Sequence, residues 1–248
     1  MSIYERLKRA IEEEERCVVY TVVEGESLGG KLLVFESGET LGELDGPLVE
    51  QSDEIIRGAR NKLLELEGRK VFAEFYGPPP RLFVYGAVDA ADTLCQAAKL
   101  LGWEAIVADA RAKFATRERM PHADEIIVAW PEDALAQIAP DHATAVVVLT
   151  HDDKFDVPAL KDALASEAFY VGALGSRRNQ ERRRERLLAA GVSEADFERI
   201  SGPCGLDIGA DTPGETALSI IAEILAVRAA RDGGRLKTAG GRIHVEVS

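Results

Sequence analysis

FVYGAVDAAD, residues 83–92, decides how the second half of the chain is read. Apolar and aromatic residues run into Gly86, and a helical pattern follows. That is the place of the phosphate turn in a dinucleotide-binding βαβ unit, where three glycines have separate tasks. Gly86 can make the tight turn. Val88 stands where the second glycine would let a pyrophosphate approach. Ala91 is an accepted third residue. Asp89, near the helix start, is expected to be the N-cap and to compete with a phosphate for the same N–H groups. Asp109 closes the next strand, 23 residues after Gly86, where the ribose-binding acid belongs. The turn therefore keeps its shape while its usual NAD(P) chemistry is weakened.

Strands and helices alternate outward from this stretch. Strands are expected at RLFVYG, EAIVAD (104–109), DEIIVAW (124–130), TAVVVLT (144–150) and FYVGAL (169–174). Helices are expected at 90–101, from Pro131, at 157–165, 177–190 and 213–231. This rhythm means a parallel sheet with helices on both faces. The continuous run AVVVL fits a strand buried on both sides. Thr212, Pro213 and Glu215 form a complete start signal for the last helix.

Before Arg81 the pattern is α+β. A helix is expected over 2–15, strands at CVVYTVVE (17–24) and KLLVFES (31–37), a helix near 48–66 and a strand at KVFAEFY (70–76). The fold class is thus α/β, a Rossmann-like parallel sheet in the C-terminal domain and a smaller α+β domain before it. The expected organisation is 1–77 for the small domain, a proline linker at 78–80, the Rossmann-like domain at 81–232, and a Gly-rich tail at 233–248 with a possible edge strand, RIHVEV.

The 248 residues are 46% hydrophobic and 29% charged, the balance of a globular protein, and the net charge is −13. Broad nucleic-acid binding needs an excess of Lys and Arg and is not expected. No apolar run reaches membrane-spanning length, and the N-terminus lacks a signal peptide's apolar core. Cys17, Cys95 and Cys204 are too few and too scattered for a disulfide framework. A cytoplasmic protein is expected.

Three loops at the strand ends carry the candidate chemistry. THDDKFD (150–156) offers Thr150, His151 and Asp152, with Asp153 beyond; Asp156 is expected to cap the following helix. Its spacing matches no defined metal motif, and no metal is expected. GALGSRR (172–178) combines Gly175, Ser176 as a helix cap, and Arg177 and Arg178 in the first turn, a plausible cradle for a phosphate or pterin anion. The later run Arg182–Arg186 reads as a solvated face. GPCGLDIGADTPGET (202–216) supplies Gly205, Asp207, Gly209 and Thr212, with Cys204 as a possible thiol. No residue is assigned a catalytic role.

FATRERMPHADEIIV, VLTHDDKFDVPAL, YVGALGSRR and GLDIGADTPGETALSIIAEI, in this order, resemble the XdhC/CoxI family, and LLVFESGETLGELDGPLVEQ resembles its smaller N-terminal domain. The resemblance implies a chaperone and accessory factor for molybdenum hydroxylases such as xanthine dehydrogenase, rather than a redox enzyme. It implies transient binding of molybdenum cofactor (molybdopterin), support of its sulfuration with a cysteine desulfurase as possible partner, delivery to the apo-enzyme, and a homo-dimer. Two departures stand out. Pro47 replaces the cysteine of the family's Gly-Gly-Cys segment, and GAVDAAD replaces its glycine-rich loop. A divergent protein–protein adaptor and an NAD(P)-dependent oxidoreductase are the alternatives.

Overall fold

The computed structural model describes residues 1–44, 47–66 and 68–240. The chain divides into two compact units. Met1–Pro78 and the described residues from 234 on form one, and Pro79–Gly233 the other. The Gly-rich tail therefore groups with the first unit instead of standing apart, and RIHVEV lies outside the described residues.

The first unit is an antiparallel sheet covered on both faces. Its elements are α1 (Ile3–Glu12), β1 (Cys17–Glu24), β2 (Lys31–Phe35), β3 (Thr40–Gly42), α2 (Leu48–Gly58), β4 (Lys62–Leu66) and β5 (Arg69–Tyr76), with strand order β3-β2-β1-β5-β4. The period of two along β1 sorts its side chains. Val18, Tyr20 and Val22 pack with Ile55 and Ile56 of α2, while Cys17 and Val19 pack with Ala10 of α1. The helix expected over 48–66 ends at Gly58, with Ala59 left-handed at φ 44°. Residues 62–66 pair with β5 instead. Lys-Leu-Leu-Glu-Leu has good helix propensity, but burying Leu64 in the sheet overrides it. Pro47 immediately precedes α2.

The second unit contains β6 (Arg81–Tyr85), α3 (Asp89–Leu100), β7 (Glu104–Ala108), β8 (Glu125–Ile127), α4 (Pro131–Ile138), β9 (Thr144–Val148), α5 (Asp153–Ala165), β10 (Tyr170–Ala173), α6 (Arg177–Ala189), α7 (Glu194–Phe197), β11 (Ile200–Ser201) and α8 (Pro213–Arg228). All six strands are parallel, in the order β11-β10-β9-β6-β7-β8. Both faces are buried, which explains the continuous apolar runs of β6, β7 and β9. Leu82 and Val84 of β6 join α3 and α8 on one face. Phe83 and Tyr85 join α4, α5 and α6 on the other. The chain order reverses between β6 and β9, and at such a switch point sheets of this type take ligands beyond the carboxyl ends of their strands.

The capping box expected at α8 forms. Thr212 Oγ1 accepts from Glu215 N at 3.2 Å, and Glu215 accepts from Thr212 N at 2.8 Å. Two other helix starts differ from expectation. Val88, not Asp89, occupies the cap position of α3, without a side-chain bond. Helix α5 begins at Asp153 with Asp152 as its cap, so Asp156 lies inside it.

Candidate functional site

The switch point begins at Gly86. Its φ is +114°, and a Cβ there would stand 3.0 Å from Thr150 Cγ2 and 3.2 Å from the Leu149 carbonyl carbon. Only glycine lets the turn after β6 lie against the chain leaving β9. The neighbouring turn is tied to Asp109, whose carboxylate accepts from Ala87 N at 3.0 Å. Asp109 is 1% exposed and also receives Arg111 N, Nε and Nη2 at 2.8–2.9 Å. Burial pushes its pKa up, but the Arg111 fork and the two backbone donors prevail and hold it below the usual carboxylate value. Asp109 is thus occupied as a brace between β6 and β7.

The start of α3 is also engaged. Asp89, at the first helical position, pairs with Arg119 at 3.0 Å. Asp92 accepts from His122 N and contacts His122 Nδ1 at 2.8 Å. The FATRERMPH segment runs as turns and places these partners over the helix start. A carboxylate–guanidinium pair thus stands in the first turn of α3, the turn whose N–H groups a dinucleotide's pyrophosphate uses.

The loops after β9 and β10 are joined by a buried ion pair. Asp156 accepts from Arg183 Nε at 2.6 Å and Nη2 at 3.1 Å, and from Thr150 Oγ1 at 3.3 Å. Arg183 Nη2 also donates to the Leu174 carbonyl at 3.0 Å. Both side chains are under one-tenth exposed. These bonds place Thr150, α5, α6 and the Gly175 turn in one network. Above it lies a cavity of about 170 Å³ lined by His151, Asp153, Asp156, Asn179, Arg182 and Arg183. Gly175 has φ +144°. Ser176 caps α6 as expected, accepting from Asn179 N at 3.3 Å. Arg177 and Arg178 are exposed beside it, and His151 and Asp152 are exposed on the facing loop.

Arg183 departs from the solvated face expected for residues 182–186, and sequence reading passed over it as a site residue. Its signal is the stripe Gln180, Arg183 and Leu187, the three buried positions of α6 at helical spacing. Asn179 and Arg182 were passed over as well.

The 202–212 loop is held mainly by its own structure. Cys204 N donates to the Ala173 carbonyl at 3.0 Å, and Gly205 N to Glu223 at 2.9 Å. Glu223 also accepts from the Tyr170 hydroxyl. A Cβ on Gly205 would stand 2.4 Å from Ser219 Oγ. Burial pushes the Cys204 thiol up to about 12, so it stays protonated at neutral pH. Asp207 and Gly209 are exposed, and Thr212 serves as the α8 cap. Among the described residues, no cluster of three or more His, Cys, Asp or Glu is placed to hold a metal ion. No helix among them is long and apolar enough to cross a membrane.

Counted from β6, the sheet reads 3-2-1-4-5-6, the order of a Rossmann-type ligand-binding domain with its crevice at the switch. The chain belongs to the XdhC family, since residues 82–224 match the XdhC Rossmann domain. It is 34% identical over 158 residues to a probable xanthine dehydrogenase subunit of Bacillus subtilis strain 168, covering 64% of this chain and 46% of that protein. It is 31% identical over 153 residues to the molybdenum cofactor insertion chaperone PaoD of Escherichia coli strain K12, covering 62% of this chain and 42% of PaoD. The chain thus spans less than half the length of these curated relatives. A Bacillus halodurans crystal structure described as a xanthine dehydrogenase superposes with TM-score 0.70 at 26% identity, covering 93% of this chain and 68% of the other.

Proposed function

We propose that the protein is an accessory factor in the maturation of a molybdenum hydroxylase of the xanthine dehydrogenase type. It holds molybdenum cofactor transiently at the sheet's C-terminal edge and passes it to the apo-enzyme. The observation that carries this reading is the cavity between α5 and α6, lined by His151 of the loop after β9, Asp153 and Asp156 of α5, and Asn179, Arg182 and Arg183 of α6, the two helices that follow the strand ends where Rossmann-type sheets take ligands. The names of the two curated relatives support the cargo and the client class.

The residues proposed to face the cargo are Thr150, His151, Asp152, Gly175, Ser176, Arg177 and Arg178. Gly86 shapes the crevice floor, and Asp109 braces it. Gly205, Asp207, Gly209 and Thr212 are proposed to border it from the loop after β11. The engaged state of Asp109 and the Asp89–Arg119 pair argue against an NAD(P)-dependent oxidoreductase using the usual pose. A cysteine desulfurase as sulfur donor, a homo-dimer and a cytoplasmic site of action complete the proposal. The test is to offer the pure protein molybdenum cofactor under reducing conditions, then add a molybdenum hydroxylase apo-enzyme. Retention of molybdopterin and its release to the client are expected. A protein that retains none and captures no client refutes the reading.

A further inference from the structure

Arg183 uses Nε and Nη2 on Asp156 and on the Leu174 carbonyl, but its buried Nη1 has no hydrogen-bond partner. The side chain is 4% exposed. An unpaired buried guanidinium N–H is costly, and native folds rarely leave one without a reason. Arg183 belongs to the cavity lining, and its Nη1 lies 3.9 Å from the point where a Cβ on Gly175 would stand.

The surrounding charges agree with an anion. The two carboxylates lining the cavity are already neutralised, Asp156 by Arg183 and Asp153 by Arg186. Arg177, Arg178 and Arg182 are exposed and have no ion pair among the described residues. Three unmatched arginines on one helix of a chain with net charge −13 go against the average. Two of them stand in the first turn of α6, where they oppose the helix dipole. A bound anion relieves that conflict and accepts from the first-turn N–H groups.

We propose that the α5–α6 cavity is a phosphate subsite, taking the phosphate of an organic phosphate ester. Arg183 Nη1 donates from the floor, Arg182 and Asn179 from the wall, and the Arg177 and Arg178 N–H groups from the rim. The proposal rests on the cargo reading above and names the part of the cargo that is gripped.

The experiment titrates the full chain with inorganic phosphate, following the Gly175 and Asn179 amides by NMR. Saturable binding of one phosphate per chain is expected. Arg182→Ala removes one charged donor and weakens binding by about tenfold. Asn179→Leu replaces the wall's amide donor by methyl groups of nearly the same shape and weakens binding further. Arg184→Ala, which removes the same charge from the same helix outside the cavity, leaves it unchanged. All three residues are exposed, and circular dichroism checks their folding. Absence of saturable binding, or equal weakening by Arg184→Ala, overturns the proposal. Molybdenum cofactor retention then separates the two readings. If Asn179→Leu retains cofactor as well as the parent does, the phosphate subsite falls and the carrier stands. If the parent binds phosphate but retains no cofactor, the carrier reading falls and the subsite stands.

Discussion

Asp109 and Val88 show how one residue can keep a fold while closing a familiar site. Asp109 has the position of a ribose-binding acid, yet its oxygens hold Arg111 and the Ala87 N–H. Restoring the missing glycine by Val88→Gly is therefore expected to create no NAD(P) binding at millimolar cofactor, as followed by Trp fluorescence. A clear saturating quench would show that Val88 alone blocked the site. The thiols lead to a second expectation. Burial raises Cys17 from 9.0 to about 11, and Cys95 and Cys204 to about 12. The folded chain holds these protons after the unfolded chain has lost them. Their contribution to stability is thus complete below pH 9.0 and lost as the pH rises through 11 to 12. The urea midpoint should fall steadily above pH 9, and a thiol reagent at pH 8 should label the native protein far more slowly than the unfolded one. Rapid native labelling of Cys204, which is half-buried, would contradict the assignment of a protonated thiol.

At the scale of elements, the Asp156–Arg183 pair fastens α5 to α6 and both to the ends of β9 and β10. Arg183→Met leaves Asp156 buried without its counter-ion and is expected to cost about 3–5 kcal/mol in urea unfolding. Adding Asp156→Leu should recover most of that loss, because the penalty lies in the uncompensated charge. A double variant no more stable than Arg183→Met would refute this account. The pair also marks where sequence reading stops. Strands such as AVVVL were legible because burial on both faces demands a continuous apolar run. Helix α8 was legible because Thr212, Pro213 and Glu215 each satisfy a local requirement. Asp156 looked like a cap because its partner lies 27 residues away, beyond any local pattern. Residues 62–66 looked helical because pairing with β5, a tertiary choice, outweighs local propensity. The loops of the candidate site were found from their glycines and caps. Arg183 was hidden in a run of charges whose buried side appears only on the helical face.

At the scale of the molecule, each unit has its own hydrophobic interior. The clusters built on β6–β10 contain only residues of Pro79–Gly233, and those built on β1 and β2 only residues of the first unit. The strand order, its switch point and every residue lining the cavity belong to Pro79–Gly233. A stretch of this size can bury enough apolar surface to fold alone. Residues 79–233 expressed by themselves are therefore expected to unfold in one cooperative transition and to bind inorganic phosphate within about twofold of the full chain, well inside the tenfold that corresponds to about 1.4 kcal/mol. NMR dispersion and a urea transition test the first point, and the amide titration at Gly175 and Asn179 tests the second. A folded fragment without phosphate binding would mean that the first unit completes the site. A fragment that does not fold would mean that the parallel sheet depends on the first unit for stability. The isolated fragment also separates holding from delivery. If it keeps the cargo but no longer captures the apo-enzyme, client recognition resides in Met1–Pro78 or the residues from 234 on.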